Sequence, residues 1–206
     1  MIGILDYGLS NIKSVVKALD FLGQKNIIVD EKIKLKSISK LIIPGVGSFK
    51  LAYENIKKKY SLDELKEFII IKKKPVLGIC LGMQLLYKSS EEDGGSKGLD
   101  FISGEVNELK TTNGIKINNV GWRKINIKKD TLLLRNIHKE DAIFYFVHRF
   151  ACYANKKSVI SASLDYDNKF EFDVIVDSDN IFATQFHPEK SQKVGLKVLE
   201  NFYKFS

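Results

Sequence analysis

Pro75-Val76-Leu77-Gly78-Ile79-Cys80-Leu81-Gly82-Met83-Gln84 is the stretch that decides the fold. Its first half is a short apolar run of the kind that forms a strand buried on both faces, and a helix is expected to begin just after Cys80. Glycines on either side of the cysteine permit a tight strand-to-helix turn, so the run predicts a nucleophile elbow with Cys80 at its tip. Upstream, Ile2 to Leu5 reads as a strand and is followed by a turn containing Gly8. Ile12, Val15, Val16, Leu19 and Leu22 then recur at helical spacing. Ile27 to Val29 and Leu41 to Ile43 read as further strands, the second ending abruptly in Pro44-Gly45-Val46-Gly47. Leu62 to Ile71 carries a helical pattern that ends in lysines. This alternation predicts an α/β fold: a mixed, mostly parallel sheet flanked by helices, of flavodoxin-like architecture.

The second half changes character, and from Phe101 to Phe186 the sequence is β-rich. The strand-like runs are Ile115–Ile117, Ile143 to Tyr153, Val159–Ser163, Phe170 to Val176 and Ile181–Phe186. Ser191 to Phe205 places Val194, Leu196, Val198, Leu199 and Phe202 so as to form a closing helix. No repeat, low-complexity linker or boundary interrupts the chain, which predicts a single domain over residues 1–206.

With 206 residues, 44% hydrophobic and 28% charged, the chain has too much apolar material to stay disordered and too little Pro and Gly to be fibrous. Two cysteines without C-x-x-C spacing support neither a disulfide framework nor a structural zinc site. A reducing, cytoplasmic setting is expected, with no metal and no cofactor. The start of the chain lacks the basic region of a signal peptide, and no apolar run approaches the ~20 residues of a membrane span. The formal net charge is +8, but only Arg123, Arg135 and Arg149 are arginines. Base-edge readers lean on arginine, so the lysines predict a solvated basic face, with neither nucleic acid nor membrane as partner.

A cysteine hydrolase needs a thiolate, a histidine to activate it and a group to orient the imidazole. Cys80 at the elbow fits the first role, with the Leu81 amide placed to meet an oxyanion. Cys152, between Ala151 and Tyr153 in an apolar run, reads as a small buried hydrophobe. His187 precedes Pro188, which favours extended backbone, so Glu189 two residues on projects to the same face and can orient the ring. His138 reads as exposed loop, and His148 as a structural or substrate-lining residue. From spacing alone, a cysteine between two glycines fits core packing as well as it fits this triad. Pro44-Gly45-Val46-Gly47 matches neither a Walker A motif nor G-x-G-x-x-G, since Lys50 falls where the third Gly belongs. It reads either as backbone N–H donors for developing negative charge or as an ordinary turn.

Taken together, Pro44-Gly45-Val46-Gly47, Gly78-Ile79-Cys80-Leu81-Gly82-Met83-Gln84 and Gln185-Phe186-His187-Pro188-Glu189-Lys190-Ser191 closely resemble the class I (triad) glutamine amidotransferases along nearly the whole chain. Asp6-Tyr7-Gly8, Val120-Gly121-Trp122 and Tyr145-Phe146-Val147-His148 look like the HisH family, the glutaminase subunit of imidazole glycerol phosphate synthase. The resemblance implies a cofactor-independent reaction: Cys80 attacks the side-chain amide of L-glutamine, His187 carries the proton and Glu189 holds its ring. It implies oxyanion donors at Leu81 and within Gly45-Val46-Gly47, and substrate contacts from Gln84, Glu92 and His148. Ammonia would pass to a (β/α)₈-barrel cyclase in a heterodimer, across a face that includes Asn11, Trp122 and Lys190.

Five positions depart from the family pattern: Ser10 for Gly, Asn119 for His, Arg123 for Asn, Arg149 for Ser or Thr, and Asp167 for Gly. None is nucleophile, base or orienter, so they bear on the partner. A rival of the same chemistry supplies ammonia to a surface-sugar amidotransferase. A rival of another class is a non-catalytic binding protein on the same fold, against which an intact Cys80, His187 and Glu189 argue.

Overall fold

The computed structural model describes residues 1–9, 11–30, 35–110, 114–166 and 170–205. The first half alternates strand and helix: β1 (Ile2–Leu5), α1 (Ile12–Phe21), β2 (Asn26–Val29), β3 (Lys40–Ile43), α2 (Phe49–Lys59), α3 (Leu62–Lys66), β4 (Val76–Ile79) and α4 (Leu81–Leu85). The second half holds β5 (Tyr87–Ser90), β6 (Ser96–Lys97), β7 (Ile102–Glu108), β8 (Asn119–Lys124), β9 (Asn126–Ile127), β10 (Ile143–His148), β11 (Phe150–Ala154), β12 (Ile160–Tyr166), β13 (Phe170–Ser178) and β14 (Ile181–Thr184), closed by α5 (Gln192–Lys204).

One sheet runs β2-β1-β3-β4-β14-β13-β11-β7-β5-β6, with β12 and β9 attached through β13, while β8 and β10 pair as a separate ribbon. From β2 to β14 every neighbouring pair is parallel. Parallel strands need cover on both faces, and the side chains alternate accordingly. Ile2, Ile4, Ile42, Leu77 and Ile79 join one core with α1 and α5. Leu5, Leu41, Ile43 and Val76 join the other with Phe49, Ala52 and Ile56 of α2.

The register decides where the chemistry can sit. Ile43 of β3 lies level with Gly78 of β4, and Thr184 of β14 with Ile79. Pro44, Cys80 and Gln185 therefore leave three adjacent strands at the same edge, the carboxyl end where α/β sheets open a crevice. Lys72, Lys73 and Lys74 line a cleft with Met1, Lys40 and Asn180, at the amino ends of the same strands.

The alternating architecture and β-rich second half stand as the sequence predicts, and the differences are local. The run from Ile143 to Tyr153 is two strands, because β10 pairs with β8 whereas β11 pairs with β7 and β13. The chain changes sheets at Arg149. Ile115–Ile117 contributes only an isolated bridge between Lys116 and Lys110. The helix expected over Leu62 to Ile71 ends as α at Lys66 and continues as a π turn, Glu67–Ile71. No helix among the described residues is long and apolar enough to cross a membrane.

Candidate active site

Cys80 sits between β4 and α4 with φ 53° and ψ −106°. A side chain with a Cβ rarely adopts positive φ, and it persists only where its surroundings enforce it. Here the Cys80 N–H donates to the Thr184 carbonyl at 2.8 Å, and the Gln84 N–H to the Cys80 carbonyl at 3.1 Å. The flanking glycines answer a steric demand. A Cβ on Gly82 would lie 1.7 Å from the Ile43 carbonyl oxygen, and one on Gly78 would lie 2.8 Å from that of Gly82. The strain thus falls on the cysteine, while its neighbours let three backbones approach.

The segment after β14 brings the histidine. His187 is extended (φ −97°, ψ 96°), and its Nδ1 meets Glu189 Oε1 at 2.8 Å. Both side chains are sealed, at 1% and 2% exposure. The other ring nitrogen, Nε2, is buried without a hydrogen-bond partner. Cys80 is near enough to act on the ring electrostatically. Burial alone would lower the His187 pKa, but the interactions with Cys80, followed by those with Glu189, outweigh burial and raise it. An imidazole bonded to a carboxyl group and set beside a cysteine sulfur suits a proton carrier for a sulfur nucleophile. His138 is exposed. His148 is buried, with Nδ1 2.8 Å from the Phe150 carbonyl and Nε2 2.9 Å from Asn119 Nδ2. Desolvation lowers its pKa to about 4, so it is neutral near pH 7: Nδ1–H donates to the carbonyl and Nε2 accepts from the amide. Both nitrogens are spent on structure.

The Pro44–Gly47 loop lies against the elbow, since a Cβ on Gly45 would meet Tyr7 Oη at 2.0 Å and Leu81 Cβ at 2.9 Å. Tyr7, fully buried, donates its hydroxyl to the Pro44 carbonyl and fixes the loop from behind. The Val46 N–H is already engaged, donating to the Leu9 carbonyl at 3.1 Å. Leu81 is buried as the first residue of α4. Gln84 Nε2 donates to the Phe150 carbonyl at 2.9 Å and to Gln185 Oε1 at 3.3 Å. Glu92 Oε2 accepts from the Phe49 N–H at 3.0 Å, so it caps α2 beside the same loop. Burial raises its pKa against that hydrogen bond.

Of the residues expected at a partner face, Asn11 starts α1 and accepts from Ser14 Oγ, Lys190 is exposed, and Trp122 is 43% exposed on β8. Asn119 is buried and also accepts from Arg123 Nε, and Arg149 pairs with Glu108. Ser10 and Asp167 lie outside the described residues. No role for Gln185 or Tyr7 is legible in the sequence, although each stands in a quoted motif just past a strand of buried residues. Among the described residues, no group of three or more His, Cys, Asp or Glu side chains is placed to hold a metal.

Comparison with known proteins gives the family. The family model "Glutamine amidotransferase class-I" matches residues 3–205. The chain is 45% identical over 203 residues to imidazole glycerol phosphate synthase subunit HisH 1 of Campylobacter jejuni, covering 98% of each. It is 42% identical over 202 residues to the HisH subunit of Methanocaldococcus jannaschii, again covering 98% of each. Among solved structures, one described as a glutamine amidotransferase superposes with a TM-score of 0.70 at 18% identity over 98% of both chains. PurLQS from Thermotoga maritima gives 0.72 at 19%, covering 98% of this chain and 96% of that one. At that identity the two structures speak for the fold, and the relatives for the family. The chain belongs to the class-I glutamine amidotransferases and, within them, to the family of imidazole glycerol phosphate synthase HisH subunits.

Proposed function

We propose that residues 1–206 act as one domain that hydrolyses L-glutamine to glutamate and ammonia through Cys80, His187 and Glu189. The observation that carries this reading is the His187 ring bonded to Glu189 and set beside Cys80 where β4 and β14 end. The thiolate attacks the side-chain carbonyl carbon of glutamine, giving a tetrahedral oxyanion. His187 donates its proton to the departing nitrogen, ammonia leaves and a glutamyl thioester remains. Water, deprotonated by His187, then attacks the thioester and restores the thiolate as glutamate leaves. Glu189 keeps Nδ1–H engaged so that Nε2 faces the sulfur throughout. The Leu81 N–H and a backbone N–H of Gly45–Gly47 meet the oxyanion, and Gln84 and Glu92 hold the substrate beside the loop.

The ammonia goes to a partner, a (β/α)₈-barrel cyclase that uses it in imidazole glycerol phosphate synthesis. Support comes from the β8–β10 ribbon, whose Val120, Trp122, Ile143 and Val147 are between 38% and 49% exposed. An exposed apolar cluster of this kind marks an interaction face. The ribbon is tied to the histidine loop: the His187 N–H donates to the Tyr145 carbonyl, and the Tyr145 N–H to Ser191 Oγ, each at 3.0 Å. Pressure on the ribbon therefore reaches the triad. One proposed oxyanion donor, the Val46 N–H, is occupied by Leu9, so the isolated chain forgoes stabilisation worth roughly 10²–10³ in rate. Mixing purified chain with the cyclase of the same genome and measuring glutamate release tests this. Activation by orders of magnitude is expected. Binding to and activation by a sugar-modifying synthetase instead would overturn the acceptor and leave the Cys80 chemistry standing.

A further inference from the structure

The side chain of Gln185 is fully buried between the two cysteines of the chain. Its Nε2 donates to Cys80 Sγ at 3.7 Å. Its Oε1 accepts from Cys152 Sγ at 3.7 Å and from Gln84 Nε2 at 3.3 Å. The neighbours settle which end of the amide faces which cysteine. Burial, then Asp173, then Cys80 push the Cys152 thiol well above its ordinary pKa, so it stays an S–H donor. Gln84 Nε2 is a donor fixed by its second bond to the Phe150 carbonyl. Two donors on one side demand the carbonyl oxygen there, which turns the N–H end of Gln185 towards Cys80.

We infer that Gln185 is a positioning residue for the nucleophile, holding the Cys80 sulfur at the elbow through its side-chain N–H, and that Cys152 sets the direction of that amide. A thiolate at a strained, positive-φ position needs fixed donors around it, because a sulfur free to rotate leaves the line of attack. His187 approaches Cys80 from the loop after β14, and Gln185 starts that same loop, directly after Thr184. One short segment thus supplies both the proton carrier and the clamp. Cys152, on β11 opposite Asp173 of β13, acts from behind the clamp and does not touch substrate.

This inference rests on the glutaminase reading for its kinetics, but alkylation of Cys80 probes the clamp whatever the substrate. In the full chain assembled with the cyclase, Gln185→Leu should lower kcat for glutamine by about 10–100-fold, the scale of one hydrogen bond to a charged group, with KM changed less than about threefold. The rate of Cys80 alkylation by iodoacetamide, followed by mass spectrometry, should fall at neutral pH, and its pH profile should move to the alkaline side. The second pair keeps the test independent of how Gln185→Leu folds. Cys152→Ser retains a donor and should keep the wild-type alkylation profile, whereas Cys152→Ala should shift it in the direction of Gln185→Leu. A folded Gln185→Leu with wild-type kcat and alkylation profile would overturn the inference. So would Cys152→Ser and Cys152→Ala variants that behave alike. If the wild-type chain assembled with the cyclase proves inert towards glutamine but the alkylation profiles shift as stated, the glutaminase reading fails and the clamp stands.

Discussion

Asp173 Oδ2 accepts from the Ala154 N–H at 2.6 Å and from the Tyr87 hydroxyl at 3.1 Å. Burial nonetheless dominates and raises its pKa to about 6, against an unfolded value near 3.9. The folded chain therefore binds this proton more tightly than the unfolded one. The resulting stabilisation is complete below about pH 3.9 and is lost as the pH rises through about 6. Asp173→Asn keeps the acceptor and removes the titration. Its stability relative to wild type should rise by about 2 kcal/mol between pH 4 and pH 7, read from denaturant midpoints at the two pH values. A difference that stays flat across that window would show that Asp173 does not carry the shift. His148 has the opposite sign, its pKa of about 4 making stability fall as the pH drops below about 6.5, but it is present in both chains and cancels. Neither shift was legible in the sequence, because both follow from burial that only the β11, β13 and β10 pairings create.

Three short segments build the site at the level of elements, and all three were legible because each is a local pattern: a Gly-rich strand end, a cysteine between glycines, and His-Pro-Glu. Their convergence was not. It depends on β14, the last strand in sequence, inserting beside β4 in the sheet. The same long-range pairing hid the clamp, since Cys152 reads as an ordinary apolar-strand residue until β11 is laid across from β13. The β-rich half was legible in composition but not in partition, since one apolar run covers two strands that belong to different sheets. The elbow offers a sharp test of why its glycines are there. Gly82→Ala places a Cβ 1.7 Å from the Ile43 carbonyl, so α4 must move off the end of β3, and a loss of about 3 kcal/mol is expected. Gly23→Ala, where φ is +67° and nothing lies within 4 Å, should cost only about 1 kcal/mol. Equal losses in the two variants would mean that conformation, not contact, governs the elbow.

The molecule as a whole puts its chemistry at the carboxyl ends of the parallel strands and a lysine-lined cleft at the amino ends, and exposes an apolar cluster on the β8–β10 ribbon. Trp122 packs edge-to-face on Tyr145 at 5.9 Å between ring centroids and still presents much of its surface. Trp122→Ala should weaken the complex with the cyclase by about 2 kcal/mol or more while moving the melting temperature of the free chain little. An unchanged dissociation constant would place the interface elsewhere. The chemistry depends on the Cys80 sulfur as the attacking atom. Glutamate release by the chain assembled with its partner, measured for Cys80→Ala with ammonium supplied in parallel, tests it most directly. The account predicts no glutamate above background and undiminished use of ammonium by the partner. Substantial glutamate release from Cys80→Ala would contradict it.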